Sequence, residues 1–271
     1  MPELPEVETV RQGLLRHLQL PCQILAVELG KLPLRRPLCP ELATKPVGSQ
    51  LLDIERRAKY LLWRCSNGWI INHLGMSGAW RFADDNPRRH DHCRLLLDDG
   101  RILIYSDPRR FGLLGWYDRD PRHSLDNLRR LGPEPWDPHL TPSSLRAQLQ
   151  RRKGPIKAAI MDQRLLVGVG NIYASEALFR AGIRPQTPAM RLGAQRCARL
   201  LDCIRSVLNE AIAAGGSTIR DFRQAGGSSG YFQHRFQVYG REGEACHTCD
   251  SQIRSCIIGG RSTFWCPRCQ H

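Results

Sequence analysis

The chain of 271 residues is 41% hydrophobic and 24% charged, which leaves room for two domains with real cores and matches the balance of a soluble globular protein. No stretch approaches the roughly eighteen apolar residues of a membrane span, and the opening residues are acidic rather than a basic region leading into an apolar one; neither a span nor a secretory signal is read, and a cytoplasmic location is expected. A formal net charge of +14 calls for a polyanionic partner, and nucleic acid is the commonest one in that compartment.

Residues 1–131 read as a β-rich domain opened by a helix. In Met1-Pro2-Glu3-Leu4-Pro5-Glu6, Pro5 suits a first turn, the acids suit the positive end of the helix dipole, and Val7, Val10 and Leu14 recur on one face. The same residues carry a chemical alternative. Removal of Met1, which the small second residue permits, would leave Pro2 as a free secondary amine; an α-amino group has a pKa of about 8 against about 10.4 for lysine, so far more of it is nucleophilic at neutral pH. Condensed with a sugar C1′, that amine becomes an iminium, an electron sink, with Glu3 and Glu6 at hand to move protons. The plain helix start and the nucleophile both stand at this level. Strands are expected at residues 24–28, 60–64 and 69–72, and a hairpin at 94–97 and 101–105 turns about Asp98-Asp99-Gly100. Several strands at short spacing indicate a sandwich or barrel.

Pro133, Pro135, Pro138 and Pro142 mark residues 132–150 as a linker. The pattern then turns helical over 156–166 and 171–181, around Gly168-Val169-Gly170. A longer amphipathic helix places Cys197, Leu200, Leu201, Ile204, Leu208 and Ala211 on one face and stops at Gly215-Gly216. Residues 151–240 are thus a helical domain, and 241–271 a separate module.

That module holds the most specific signal. Cys246-His247-Thr248-Cys249 and Cys266-Pro267-Arg268-Cys269 are separated by sixteen residues, the arrangement of a closed tetrahedral four-cysteine zinc site, structural because no position remains for a reactive water. Cys256 lies between the pairs and is read as a non-ligand. The total of eleven cysteines is odd and, without an export signal, argues against a disulfide framework. Gly168-Val169-Gly170-Asn171 offers a phosphate seat at a helix start, or only a turn. His73-Leu74-Gly75-Met76-Ser77-Gly78 and Asp107-Pro108-Arg109-Arg110-Phe111-Gly112 place large side chains on glycine-flanked loops, where Met76 and Phe111 are either wedges for base steps or core. Lys59 follows Arg56-Arg57-Ala58, where neighbouring positive charge disfavours its charged form; a solvated charge run is the alternative. His90-Asp91-His92 has no further ligand nearby and is not read as a metal site.

Taken in order, Pro2-Glu3-Leu4-Pro5-Glu6-Val7-Glu8-Thr9, Arg57-Ala58-Lys59-Tyr60-Leu61, the His73 and Asp107 segments, Gly168-Val169-Gly170-Asn171-Ile172-Tyr173-Ala174-Ser175-Glu176 and the cysteine pairs resemble the bacterial formamidopyrimidine-DNA glycosylase family over nearly the whole chain. The resemblance implies an α+β fold of two domains: an N-terminal β-sandwich flanked by helices, and a C-terminal helical domain with a helix-two-turn-helix at about 156–181 and a β-hairpin zinc finger with four cysteine ligands. It implies a bifunctional DNA glycosylase/AP lyase of base excision repair. The substrate would be double-stranded DNA with oxidised purines, chiefly 8-oxoguanine and formamidopyrimidines, or abasic sites, cleaved by β,δ-elimination. By position, Pro2 is the nucleophile, Glu3 the proton donor, Glu6 its assistant, Lys59 the acid for β-elimination and Arg261 the one for δ-elimination. Met76, Arg109 and Phe111 fill the gap left by the flipped base, with Arg109 facing the orphaned cytosine, and His73, His90, Arg152 and Asn171 contact DNA. One structural Zn2+ on Cys246, Cys249, Cys266 and Cys269, and a nucleoid-associated monomer without membrane contact, complete the expectation.

Two features depart from or extend the pattern. Arg220 stands where many relatives carry lysine, and residues 225–230, rich in glycine and serine, correspond to the loop that closes over the lesion. The rivals are an endonuclease VIII-like enzyme for oxidised pyrimidines and a non-catalytic zinc DNA-binding protein. Leu4 and the Met76, Arg109, Phe111 set resemble the purine enzyme instead, and Pro2, Glu3 and Lys59 speak against loss of catalysis.

Overall fold

The computed structural model describes residues 1–83, 88–216 and 236–271. The chain divides into two compact units, the first Met1–Arg129 with the described part of 214–231, the second Arg130–Ala213 with the described part of 232–271.

The first unit opens with α1 (Leu4–His17), which has a proline in its first turn and a capping box in which the Glu3 N–H donates to Glu6 Oε2 at 2.8 Å. This reciprocal cap satisfies amides that a helix start otherwise orphans. Leu4, Val7, Val10 and Leu14 are buried on one face. Eight strands follow: β1 (Cys22–Leu29), β2 (Gln50–Arg57), β3 (Tyr60–Cys65), β4 (Gly68–His73), β5 (Ala79–Phe82), β6 (Asp91–Leu97), β7 (Ile102–Ser106) and β8 (Leu113–Tyr117), with short helices α2 (Glu41–Thr44), α3 (Pro121–Ser124) and α4 (Asp126–Arg129). All pairings are antiparallel in the order β5-β7-β6-β1-β2-β3-β4-β8.

One strand makes this a sandwich. β1 pairs through Cys22 and Gln23 with β2, then, past an irregularity between Ile24 and Ala26, through Ile24–Leu29 with β6; a bulge bends a strand and lets it change sheets. The two layers meet at Trp63 of β3 and Trp80 of β5, ring centroids 4.6 Å apart, with Tyr105 of β7 at 5.2 Å from Trp80. Trp80 Nε1 donates to Asn72 Oδ1 at 3.0 Å, so the indole that joins the layers is also satisfied. Trp63→Ala is expected to cost about 3–5 kcal/mol, visible as a lower urea midpoint at unchanged slope. The hairpin at β6 and β7 turns as expected, with Gly100 at φ +83° and Arg101 N–H donating to Asp99 Oδ1 at 2.9 Å.

The second unit packs α5 (Pro142–Leu149), α6 (Ile156–Ile160) and α7 (Asn171–Arg180) with the long α8 (Ala194–Ala213), then a two-stranded hairpin of β9 (Arg254–Ile258) and β10 (Arg261–Trp265). A 3-10 turn at Ala189–Arg191 precedes α8. The buried face of α8 is the expected one with Val207 added. The helix expected over 156–166 stops at Ile160. Beyond it, Asp162 Oδ1 accepts Arg164 N–H at 3.0 Å, and the Gln163 side chain accepts Gly168 N–H at 2.8 Å and donates to Val169 O at 3.0 Å; these side chains supply the backbone with partners other than a helix. Residues 132–150 carry α5, and the proline-rich stretch before it is strapped down: Val167 N–H donates to Pro133 O at 3.0 Å, and Arg205 donates to Pro135 O at 2.7 Å and Leu140 O at 2.8 Å.

Candidate active site

The start of α1 brings most of the expected catalytic groups of the first unit together. Pro2 is buried, and Glu3 and Glu6 are 2% and 0% exposed. Burial holds the amine of Met1, the residue before Pro2, below its ordinary value; Lys59 and Arg109 push the same way, and Glu3 and Glu6 oppose them. Four side chains from three separate segments therefore lie within electrostatic reach of the terminus. Gly216, at φ +76°, approaches so closely that a Cβ there would sit 3.2 Å from Glu6 Oε1.

Lys59 is 7% exposed and sits in the tight β2–β3 turn, where Ala58 adopts φ +55°, a conformation that costs an L-residue roughly 1–2 kcal/mol. A clamp holds that turn to α1. Arg56 Nε donates to Glu8 Oε2 at 2.9 Å, and its Nη1 to Ala58 O at 3.1 Å. Arg11 adds a contact to Glu8 at 2.7 Å. Burial alone would push the Glu8 carboxyl up, but the hydrogen bonds and charges of Arg11 and Arg56 outweigh it and hold the group below its usual range. Glu8 thus ties the first helix to the turn that carries the lysine. A partner 48 residues away leaves no local signal.

His73 ends β4. Burial, then the charge of Lys59, lowers its pKa to about 4, and its Nδ1 accepts the Gly75 N–H at 3.0 Å. At neutral pH the ring is uncharged and presents its proton on Nε2, a fixed donor. The two expected wedge loops pack against one another: a Cβ on Gly75 (φ +65°) would meet Gly112 N and Phe111 C at 2.5 Å. Phe111 is 43% exposed, outside the core, with the guanidinium carbons of Arg35 and Arg109 at 5.8 and 5.4 Å from its ring centroid; Met76 is half-buried and Arg109 exposed. His90 is half-buried, and its Nδ1 has no hydrogen-bond partner among the described residues. Asp91 is taken up by Arg81 at 2.7 Å, and His92 bridges Leu32 O and Asp107 O at 2.9 and 3.0 Å.

In the second unit, Asn171 opens α7 after Gly168 at φ +87°. Its Oδ1 accepts Lys157 Nζ at 2.6 Å and its Nδ2 donates to Ser262 O at 3.0 Å, which leaves one amide N–H of the side chain. Lys157, fully buried, also donates to Thr263 Oγ1 at 2.7 Å, so one ammonium joins α6, α7 and the strand that begins with Arg261. Arg261 itself is exposed beside the Gly259-Gly260 turn, both glycines at positive φ. Arg152 donates to Gln148 O at 2.9 Å and lies 3.5 Å from Asp162. Glu176, 1% exposed, accepts the N–H groups of Gln237, Val238 and Tyr239 at 2.8, 3.0 and 2.9 Å. Burial pushes its carboxyl up against those three donors. Lys157 and Glu176 were not singled out from sequence; a lysine and a glutamate on helices look solvated until their tertiary partners are known. Arg220 and residues 225–230 lie outside the described residues.

The four cysteines of the paired motifs place their sulfurs within 4.8 Å of one another, with Cys246 to Cys269 at 3.9 Å and Cys249 to Cys266 at 3.4 Å. A tetrahedron with bonds of about 2.3 Å has edges of about 3.8 Å. Backbone N–H groups of Thr248 and Cys269 point at Cys246 and Cys266 sulfurs at 3.5 and 3.4 Å, as turns that present thiolates require. The cluster can hold a metal ion. Cys256 instead accepts from Gln186 at 3.2 Å.

Comparison with known proteins places this geometry. Residues 1–114 match the formamidopyrimidine-DNA glycosylase N-terminal domain and residues 131–223 the H2TH domain of the same proteins. The formamidopyrimidine-DNA glycosylase of Laribacter hongkongensis is 48% identical, with 100% of both chains covered. The chain belongs to the formamidopyrimidine-DNA glycosylase family. The fold agrees: the crystal structure of the Thermus thermophilus family member superposes with TM-score 0.89 at 39% identity, covering 99% of this chain and 98% of that one. A Lactococcus lactis member in complex with DNA containing an abasic site gives TM-score 0.90 at 35% identity, with 99% of each chain covered. The H2TH match spans α6, α7 and the turn at Asn171, so the family's α+β architecture, sandwich first and helices with a cysteine-bound hairpin after, is the one this chain adopts.

Proposed function

We propose that this glycosylase excises oxidised purines, 8-oxoguanine and formamidopyrimidines, from double-stranded DNA and cleaves the resulting abasic site, with the Pro2 amine as nucleophile. The observation that carries this reading is the buried Pro2 behind a Met1 amine that burial holds below its ordinary pKa and that feels the charges of Glu3, Glu6, Lys59 and Arg109. Once Met1 is removed, the amine attacks C1′ and the glycosidic bond breaks, its electron pair leaving with the base, which takes a proton by way of Glu3. The amine's own proton is then lost and O4′ takes one as the C1′–O4′ bond breaks, which opens the sugar ring and leaves the iminium. The iminium then draws electrons from the C2′–H bond as that proton passes to water, and the resulting enamine expels the 3′ phosphate by breaking the C3′–O bond, with Lys59 as acid. A second elimination, with Arg261 as acid, releases the 5′ phosphate. The neutral His73, with its proton on Nε2, His90, Arg152 and Asn171 hold phosphates or sugar, while Met76, Arg109 and Phe111 enter the stack. One structural Zn2+ on the four cysteines keeps the Arg261 hairpin in place. DNA complexes of the Lactococcus lactis relative, one with abasic-site DNA and, for a variant, one with Fapy-dG DNA, favour purine lesions over an endonuclease VIII-like range.

Borohydride capture tests the reading. A covalent adduct is expected on 8-oxoguanine and abasic duplexes. No adduct on either removes the amine mechanism, and an adduct on oxidised pyrimidine alone removes the purine assignment.

A further inference from the structure

The two loops expected to enter the base stack share one buried hydrogen-bond centre that the reaction scheme does not use. Asp107 is 0% and Ser77 7% exposed. Ser77 Oγ donates to Asp107 Oδ1 at 2.6 Å and accepts the Arg109 N–H at 3.1 Å, while Asp107 Oδ2 accepts the Gly112 N–H at 2.7 Å. The carboxylate therefore grips the far end of its own loop, and the hydroxyl passes the grip to the neighbour of Met76. Arg110 takes the left-handed conformation at φ +59°, its N–H donating to Asp107 O at 3.1 Å and its carbonyl accepting Arg35 N–H at 2.7 Å. That arrangement turns Arg109 and Phe111 outward, and the Arg35 guanidinium faces the Phe111 ring.

We propose that Ser77 and Asp107 are positioning residues that lock the Met76 loop to the Arg109–Phe111 loop, so that the three side chains enter the duplex as one rigid wedge. This rests on the wedge roles given above. Both bonds to the carboxylate are buried and the Arg109 N–H bond to the hydroxyl is partly so, and a hydroxyl that both donates and accepts is hard to replace: its loss strands a carboxylate oxygen and an amide together. A rigid wedge matters when a stacked, paired base has to be expelled. It matters much less at an abasic site, where there is no base to displace.

The test compares the full-length, zinc-loaded wild type with Ser77→Ala on two duplexes, one carrying 8-oxoguanine and one carrying an abasic site, each with 2-aminopurine beside the site to report unstacking. Ser77→Ala is expected to slow base release and the fluorescence rise by about tenfold or more, with borohydride capture at the abasic site within about twofold of wild type. Ser77→Thr, which restores the hydroxyl, is expected to recover most of the rate. Asp107→Asn combined with Ser77→Ala should be no slower than the slower single variant, as coupled residues require. Equal loss on both duplexes, no loss on either, or additive losses in the double variant would overturn the lock. Failure of the wild type to be captured at the abasic site would instead strike the amine mechanism, and the lock would then be judged by the fluorescence step, in which the wild type must still exceed Ser77→Ala.

Discussion

Pro2→Gly is expected to lower borohydride capture of an abasic duplex by about a hundredfold or more, with duplex affinity changed by no more than about twofold. Glycine leaves a primary amine, whose imine carries no charge until it is protonated, so the electron sink that proline's iminium supplies without a proton is lost. It also removes the ring at a buried position and loosens the chain just before the Glu3–Glu6 cap. Binding should survive, because a chain of net charge +14 meets phosphates over a broad surface. The pH profile offers an internal check. Only the neutral amine attacks, so capture rises with pH through the Pro2 amine's pKa; burial lowers that of the Met1 amine that precedes it, and a Pro2 amine held at the same buried start of the chain is expected to reach its plateau below the pH at which an exposed terminal amine would. Parallel loss of capture and affinity in Pro2→Gly would refute the assignment.

Cys249→Ser is expected to abolish metal retention and to weaken duplex binding by about tenfold or more. The hairpin module buries little: its core comprises Val238, Cys246, Ile253 and Cys266, with Phe179, Cys249, Phe264 and Cys269 packed against it. A cluster so small would take most of its order from a bound metal ion, which as structural zinc supplies about 10–16 kcal/mol in peptides. Without it β9 and β10 lose the anchor at their far end, Lys157 loses its acceptors at Ser262 and Thr263, and Arg261 loses a fixed direction. Metal content by elemental analysis and affinity by fluorescence anisotropy check the two halves. Unchanged metal in Cys249→Ser would contradict the four-cysteine site.

Local pattern carried several elements correctly. The helix at Pro5, the Asp98-Asp99-Gly100 hairpin and the stripe from Cys197 to Ala211 each rest on contacts within a few residues, through capping, turn chemistry or helical period, and the structure has all three. The paired cysteines were legible for the same reason. Less local features were not. The helix read over 156–166 ends at Ile160 because Asp162 and Gln163 turn their side chains back on the chain. Whether Phe111 belonged to the core or the surface could not be read from spacing, since a glycine-flanked aromatic has the same sequence in either place.

By itself, the sequence determined a basic chain with a β-rich first part, a helical second part, a four-cysteine module and a proline behind the initiator methionine. Only the tertiary structure decided which groups meet. Glu8 reaches Arg56, Ser77 reaches Asp107, and Lys157 reaches Ser262 across gaps of 48, 30 and 105 residues. A hydrogen bond of that span depends on how whole layers stack, not on any period along the chain, and those bonds hold α1 to the Lys59 turn, the Met76 loop to the Arg109 loop, and α6 to the Arg261 hairpin.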